Sequence, residues 1–406
     1  MGDVFSQTVV FYCNDFSMGG TETLLLRLMK YYRSLGYRVI LLTVTPIHES
    51  ILNDAKNIDF EHYIHKTTEF YSLGKKLSFN SQEKPIVITQ FMPEFLRCFR
   101  ILRKKNYGVE FKHLLYIVHP DSTLYRPKFL TYFARIMILR LLYRNALVFM
   151  DETCVKNCRE FYNLKETVKF DIFRLPMFIN NNCDTYSFKN EIFNILTISR
   201  FEFPFKGYVL GLIHSFEKLS KKYPFLTLTI IGHGEGKSEV DALIANLPLT
   251  ISSKITLLEK IPYHKINNYI MKCDTFVGMG TTVLDAANSN KIVIMAIAYQ
   301  MQNFSAGFFH ENYYSIGEVY KSRISYPVFE DLIESVVNLG ESEFIDSAKR
   351  SKNVLKKYYN IEDIANGLLE HTNGYFSRLE RVLIGLLANT YIYRVGIANY
   401  IKAKWM

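Results

Sequence analysis

Short apolar runs alternate along this chain with longer segments whose apolar positions recur at helical spacing. In the first half, "TVVFYC" (8–13) leads into a Gly-Gly loop and then the helix-like "ETLLLRLMKYYRSLG" (22–36). "RVILLTV", "PIVITQF", "HLLYIVH" and "ALVFM" follow as further strands. In the second half "FNILTIS", "LTLTIIG", "KITLLE", "DTFVGM" and "KIVIMAI" repeat the theme. Such alternation argues for parallel α/β layers. The predicted architecture is therefore α/β, with two Rossmann-like, doubly wound parallel sheets. They are joined near "RLPMFINNNCDTYSF" (174–188), a polar, Asn-rich, Pro-containing connector of the kind that links domains. We expect one domain over 1–180, a second over 181–365, and C-terminal helices over 366–406 that cross back to the first. Ligands of such sheets bind at the C-terminal ends of the strands, so two facing sheets imply a cleft.

Composition narrows the class. With 406 residues, 49% hydrophobic and 22% charged, the chain has room for two folded domains and is not a disordered one. The formal charge of +10 is uneven: residues 1–180 carry 25 Lys/Arg against 17 Asp/Glu, and the rest 24 against 22. Nucleic acid, an anionic membrane surface or a phosphorylated substrate would each suit a basic first half. The six cysteines show no CxxC and no zinc-ligand spacing, as scattered thiols of a cytosolic protein would. No signal peptide is expected, "MGDVFS" carries the Gly2/Ser6 acylation pattern, and no stretch predicts a transmembrane helix.

The stretch "VGMGTTVLDAANSNK" (277–291) places two glycines and two threonines between a strand and a helix. Thr282 and Asp285 fit a capping box, with the helix starting near Thr281 or Thr282. Free N–H groups and the helix dipole at such a start form a site for phosphate. Two more strand-to-helix junctions carry glycine: "SMGGTET", with Gly19 and Gly20, and "IGHGEGKS", with Gly234 and Glu235. The second is not a P-loop, because Ile231 stands where the first glycine is required. "GMGTTV" is not a dinucleotide fingerprint either, since Val283 replaces the third glycine. "ISRFEFPFKG" then places Arg200 and Lys206 at one sheet's C-terminal edge, where two cations suit a diphosphate.

"MGGTE", "ISRFEFPFKG", "TIIGHGEG" and "GMGTTVLDAANSNKIVI" together resemble the retaining glycosyltransferases of family 4, over roughly residues 8–370. That resemblance implies the two-domain GT-B fold and a hexosyltransferase-type, metal-independent enzyme with a nucleoside diphosphate sugar as donor. By it, Gly19, Gly20, Arg200, Lys206, Gly280, Thr281 and Thr282 would hold the donor phosphates, with Gly234 and Glu235 also on the donor side. His119, in "YIVHPD", falls where the family places a histidine near the reacting centre. Of the family's two acids spaced eight apart, Asp285 stands for the second and could accept from ribose hydroxyls. Val277 stands for the first and cannot, which leaves the sugar end undetermined.

The expected reaction is sugar transfer with retention, driven chiefly by stabilising the departing diphosphate through Arg200, Lys206 and helix N–H groups. No cofactor is expected, and no D-x-D motif is present to bind a metal. A sugar-nucleotide epimerase and a catalytically inactive partner of another transferase are the alternatives. Expected partners are the nucleotide sugar, a lipid-linked saccharide acceptor and an anionic membrane surface, not nucleic acid. No acid falls between Asp121 and Asp151, and the tail from Arg378 to Met406 has only Glu380, ending in Lys402, Lys404 and Trp405. Twelve uncharged residues between Arg381 and Arg394 are too few to span a bilayer, so an interfacial helix is expected. The predicted location is cytoplasmic, peripheral on the inner face of the cell membrane.

Overall fold

The structure, a computed structural model, describes residues 7–17, 19–64, 77–79, 83–105, 110–125, 130–180, 191–317, 325–371 and 375–405. Along 103–105, at 264 and along 392–405 it describes the backbone alone. The Gly2/Ser6 pattern, Cys183, Arg126 and Lys128 lie outside the described residues, as do the side chains of Lys402, Lys404 and Trp405. The chain forms two compact units, one of Met1–Pro176 with Ile361–Met406 and one of Met177–Asn360.

In the first unit β1 (Thr8–Cys13) is wholly buried and leads into α1 (Gly20–Ser34). β2 (Arg38–Thr43), α2 (Glu49–Lys56) and β3 (Glu61–Ile64) follow, then β4 (Ile86–Thr89), α3 (Met92–Lys105) and β5 (Lys112–Ile117). α4 (Thr131–Tyr143), β6 (Leu147–Phe149) and α5 (Glu152–Tyr162) complete the run. The strands lie in the order β3-β2-β1-β4-β5-β6, all parallel. β3 was not expected, because "EHYI" is only half-buried and carries a charge at an edge. Arg38 on β2 holds it there, with Nε 2.5 Å and Nη2 2.9 Å from the two Glu61 oxygens.

The second unit repeats this order. Its strands are β7 (Phe193–Arg200), β8 (Leu226–His233), β9 (Ile255–Leu258), β10 (Thr275–Gly278), β11 (Ile292–Ala296) and β12 (Ser305–Phe308), arranged β12-β11-β10-β7-β8-β9. Only β12 runs antiparallel. Its sequence "SAGF" lacks an apolar run and is not among the expected strands. α6 (Tyr208–Lys222), α7 (Lys237–Ala245), α8 (Leu249–Ser252), α9 (Tyr263–Lys272), α10 (Thr281–Asn288), α11 (Phe329–Val337) and α12 (Glu341–Tyr358) cover the sheet. α6 packs with α7 and α11, while α10 packs with α9 and α12. In both sheets the strand order reverses between the first and fourth strands. Ligands of open α/β sheets bind beyond the strand ends at that switch point.

The chain then returns to the first unit. α13 (Ile361–His371) packs on α1, where Tyr32 Oη donates to Ala365 O at 2.8 Å. α14 (Arg378–Trp405) packs on α3 and α4. Its buried side carries Ile384, Leu387 and Ala388, and Glu380 accepts from Arg144 Nε at 3.2 Å. Leu379, Val382 and Leu386 stand exposed at helical spacing on another side. No described helix is long and apolar enough to cross a membrane.

Candidate functional site

The switch point of the second sheet lies between β7 and β10. Arg200 ends β7 and sits in register with His233, which ends β8. Beyond it the chain turns tightly, with Lys206 N donating to Glu202 O at 2.9 Å. Arg200 Nη1 lies 3.0 Å from Glu202 Oε1, with both side chains nearly half exposed. A surface pair of that kind is weak and exchangeable for a stronger anion. Burial lowers the His233 pKa first, and repulsion from Lys260, Arg200 and Lys206 lowers it further. Three cations therefore act on one imidazole at the C-terminal edge of the sheet. Sequence reasoning missed both His233, the last residue of β8, and Lys260, which stands two residues beyond β9.

The glycines beside this cluster build its walls. A Cβ on Gly232 would lie 2.4 Å from the Phe201 ring, and one on Gly236 2.4 Å from the Phe203 ring. Gly234 has φ +137, which side chains rarely adopt. Phe201 N donates to His233 O at 2.7 Å, and Gly236 N donates to Phe201 O at 2.9 Å. The glycine loop is thus laced against the segment that carries Arg200 and Lys206. Gly234 and Glu235 stand exposed at its tip.

Next to β7, β10 ends at Gly278 and α10 begins. Gly280 is its N-cap, with φ +77 and nothing within 4 Å of a Cβ added there. Glycine is needed here for backbone conformation rather than for space. Its own N–H donates to Ile316 O at 2.7 Å. Thr281 and Thr282 follow as the first two helical residues, whose N–H groups have no intrahelical acceptor, while Val283 N already donates to Gly280 O at 3.1 Å. The helix starts at Thr281 as expected, but the capping box does not form, because Gly280 rather than Thr282 is the N-cap. Thr282 Oγ1 donates instead to Met279 O at 3.3 Å, and Asp285 accepts from Tyr263 Oη at 3.2 Å. Val277 is fully buried within the β10 core. Among the described residues, no three His, Cys, Asp or Glu side chains are gathered as a metal site needs.

The first unit carries its own set at the C-terminal edge of its sheet. Gly19 caps α1 in ordinary extended geometry, and Thr23 Oγ1 donates to Gly19 O at 2.6 Å. Gly20 opens the helix. His119 caps the short 3-10 turn Pro120–Thr123, its Nδ1 accepting from Asp121 N at 3.2 Å. Burial lowers its pKa and Asp121 offsets part of that, while an Nδ1 that accepts leaves Nε2 to carry the proton of the neutral ring. At this sheet's switch point lies a group that sequence reasoning missed. Glu94, buried in the first turn of α3, accepts from Asn14 N at 3.0 Å. Burial pushes its pKa up to about 8 against the pull of that amide.

No family model matches the sequence, and no curated protein sequence does either. Solved structures do match in shape. A glycosyltransferase from Rickettsia africae is 14% identical, with 93% of this chain and 98% of that one covered and a TM-score of 0.63. Anabaena HepE, in complex with UDP and glucose, is 11% identical over 89% of this chain and 98% of its own, at a TM-score of 0.59. The lipopolysaccharide outer core galactosyltransferase WaaB is 15% identical over 96% and 99%, at 0.51. At such identities the likeness establishes the fold: two parallel-dominated six-stranded sheets with their helices, the GT-B architecture.

Proposed function

We propose that this chain transfers a sugar, with retention, from a nucleoside diphosphate sugar to a lipid-linked saccharide in cell-surface polysaccharide synthesis. The observation that carries this reading is the placement of Arg200 and His233 in register at the ends of β7 and β8, with β10, and the N-terminus of α10 that follows it, on the other flank of β7. A diphosphate laid across the β7/β10 switch point would exchange the Arg200–Glu202 pair for a stronger one. It would also take up the first-turn N–H groups of Thr281 and Thr282. As the sugar–oxygen bond breaks, negative charge grows on the diphosphate, and these fixed cations and dipoles hold it. No metal is required for that step. The leaving phosphate then takes the acceptor proton on the same face of the sugar.

Asp285 is the residue proposed for the ribose hydroxyls, with Gly234 and Glu235 on the nucleotide side. His119, neutral with Nε2–H as a donor, and the Gly19–Gly20 loop keep the site roles implied by the family resemblance. HepE's complex with UDP and glucose supports a nucleotide-sugar donor. WaaB's action in the lipopolysaccharide outer core supports a surface-glycan acceptor. The proposed location is peripheral, on the cytoplasmic face of an anionic membrane.

Release of nucleoside diphosphate from a donor panel, with and without a lipid-linked acceptor, tests the reading. Acceptor-dependent release is expected. Conversion of the donor without acceptor would point to an epimerase, and no turnover with any pair would point to an inactive partner.

A further inference from the structure

Among the described residues, four positions other than glycine have positive φ: Asn145, Asn163, Asn290 and Tyr299. The three asparagines follow the ends of α4, α5 and α10, where Asn tolerates the left-handed region. Tyr299 differs. A bulky aromatic at φ +62 is a strained choice, and such strain persists only where the surroundings enforce it. Its N–H donates to Phe205 O at 2.8 Å, and the preceding Ala298 N–H donates to Gly317 O at 2.7 Å. The loop it opens lies close over the start of α6. A Cβ on Gly207 would meet Met301 Cγ at 2.4 Å, and one on Gly211 would meet Gln302 O at 2.2 Å. The backbone is thus fixed, yet the side chain it strains is not buried. Tyr299 is 58% exposed, with its ring centroid 5.1 Å from that of Phe205, the residue before Lys206.

Resting on the donor site proposed above, we infer that Tyr299 is a contact for the sugar ring of the nucleotide sugar. A diphosphate at the switch point has two ends. Asp285, suited to ribose, turns toward Tyr263 on the side of α9 and α10. Tyr299 stands with Phe205 at the start of α6, the helix that packs with α7 and α11. The nucleoside leaving toward Asp285 sends the sugar toward Tyr299. There an aromatic face can pack on the C–H face of a pyranose, and the phenol can meet a hydroxyl. Such a contact replaces part of what Val277 cannot offer.

The test compares free nucleoside diphosphate with its sugar ester: UDP against UDP-glucose and UDP-N-acetylglucosamine, and GDP against GDP-mannose. Dissociation constants are measured by calorimetry on wild type, Tyr299→Phe and Tyr299→Gly. Glycine accepts φ +62 freely, so the melting temperature of Tyr299→Gly should be unchanged or higher. Its affinity for the nucleotide sugar that wild type binds should fall about tenfold, while free nucleoside diphosphate stays within about twofold. Tyr299→Phe should retain most of the affinity. An equal loss for both ligand classes, or no loss, overturns the sugar contact and leaves the donor site standing. Wild type that binds neither class overturns both.

Discussion

Val277 shows how one side chain separates a motif from its site. The family that the motifs resemble has an acid at that spacing, but here the backbone at 277 belongs to β10 and its side chain lies in the core. Val277→Glu should therefore lower stability by about 3 kcal/mol without raising turnover, since the carboxylate would be buried unpaired. Urea denaturation beside a turnover assay checks both; a stable, more active variant would refute the placement. Glu94 makes the opposite case, a buried acid that no motif announces. Its folded pKa of about 8 exceeds the ordinary 4.5, so between those values the folded chain holds a proton that the unfolded chain has released. Its contribution to stability accordingly falls as pH rises from 4.5 to 8 and then levels. Glu94→Gln cannot titrate, so its advantage over wild type should grow across that window by roughly 4 kcal/mol. Denaturation series at pH 5, 6.5 and 8 measure it, and a constant difference would contradict the assignment.

At the scale of elements, the buried strands were legible because each is a compact apolar run between turn signals. β3 and β12 were not, since one trades apolar residues for an Arg38–Glu61 edge contact and the other is built from Ser, Ala and Gly. The start of α10 was legible as a glycine turn but not in its capping. A capping box is a local preference, and the left-handed turn at Gly280 overrides it. Gly280→Ala meets open space but not a comfortable φ, so a loss of about 1 kcal/mol is expected. The same change should tilt the first-turn N–H groups and reduce turnover by more than its effect on stability. An alanine variant with full turnover would remove this helix start from the site. The clustering of Lys260 and His233 with Arg200 was not legible, because it depends on strand ends brought together by the sheet rather than on spacing in the chain.

At the scale of the molecule, the first unit carries the basic excess and also α14, whose exposed Leu379, Val382 and Leu386 lie beside Arg378. The proposed membrane contact predicts pelleting with anionic but not neutral liposomes, and release at high salt. Changing those three residues to Ser together should weaken pelleting, while equal recovery from both liposome types would contradict an electrostatic contact. The central claim is the diphosphate site of the second unit, and calorimetric titration of nucleoside diphosphates into wild type and Lys206→Ala tests it most directly. At least one of UDP, GDP, ADP and dTDP should bind wild type, and Lys206→Ala should weaken that binding about tenfold or more with the fold intact. Binding that is unchanged in Lys206→Ala, or no binding of any of the four to wild type, would contradict it.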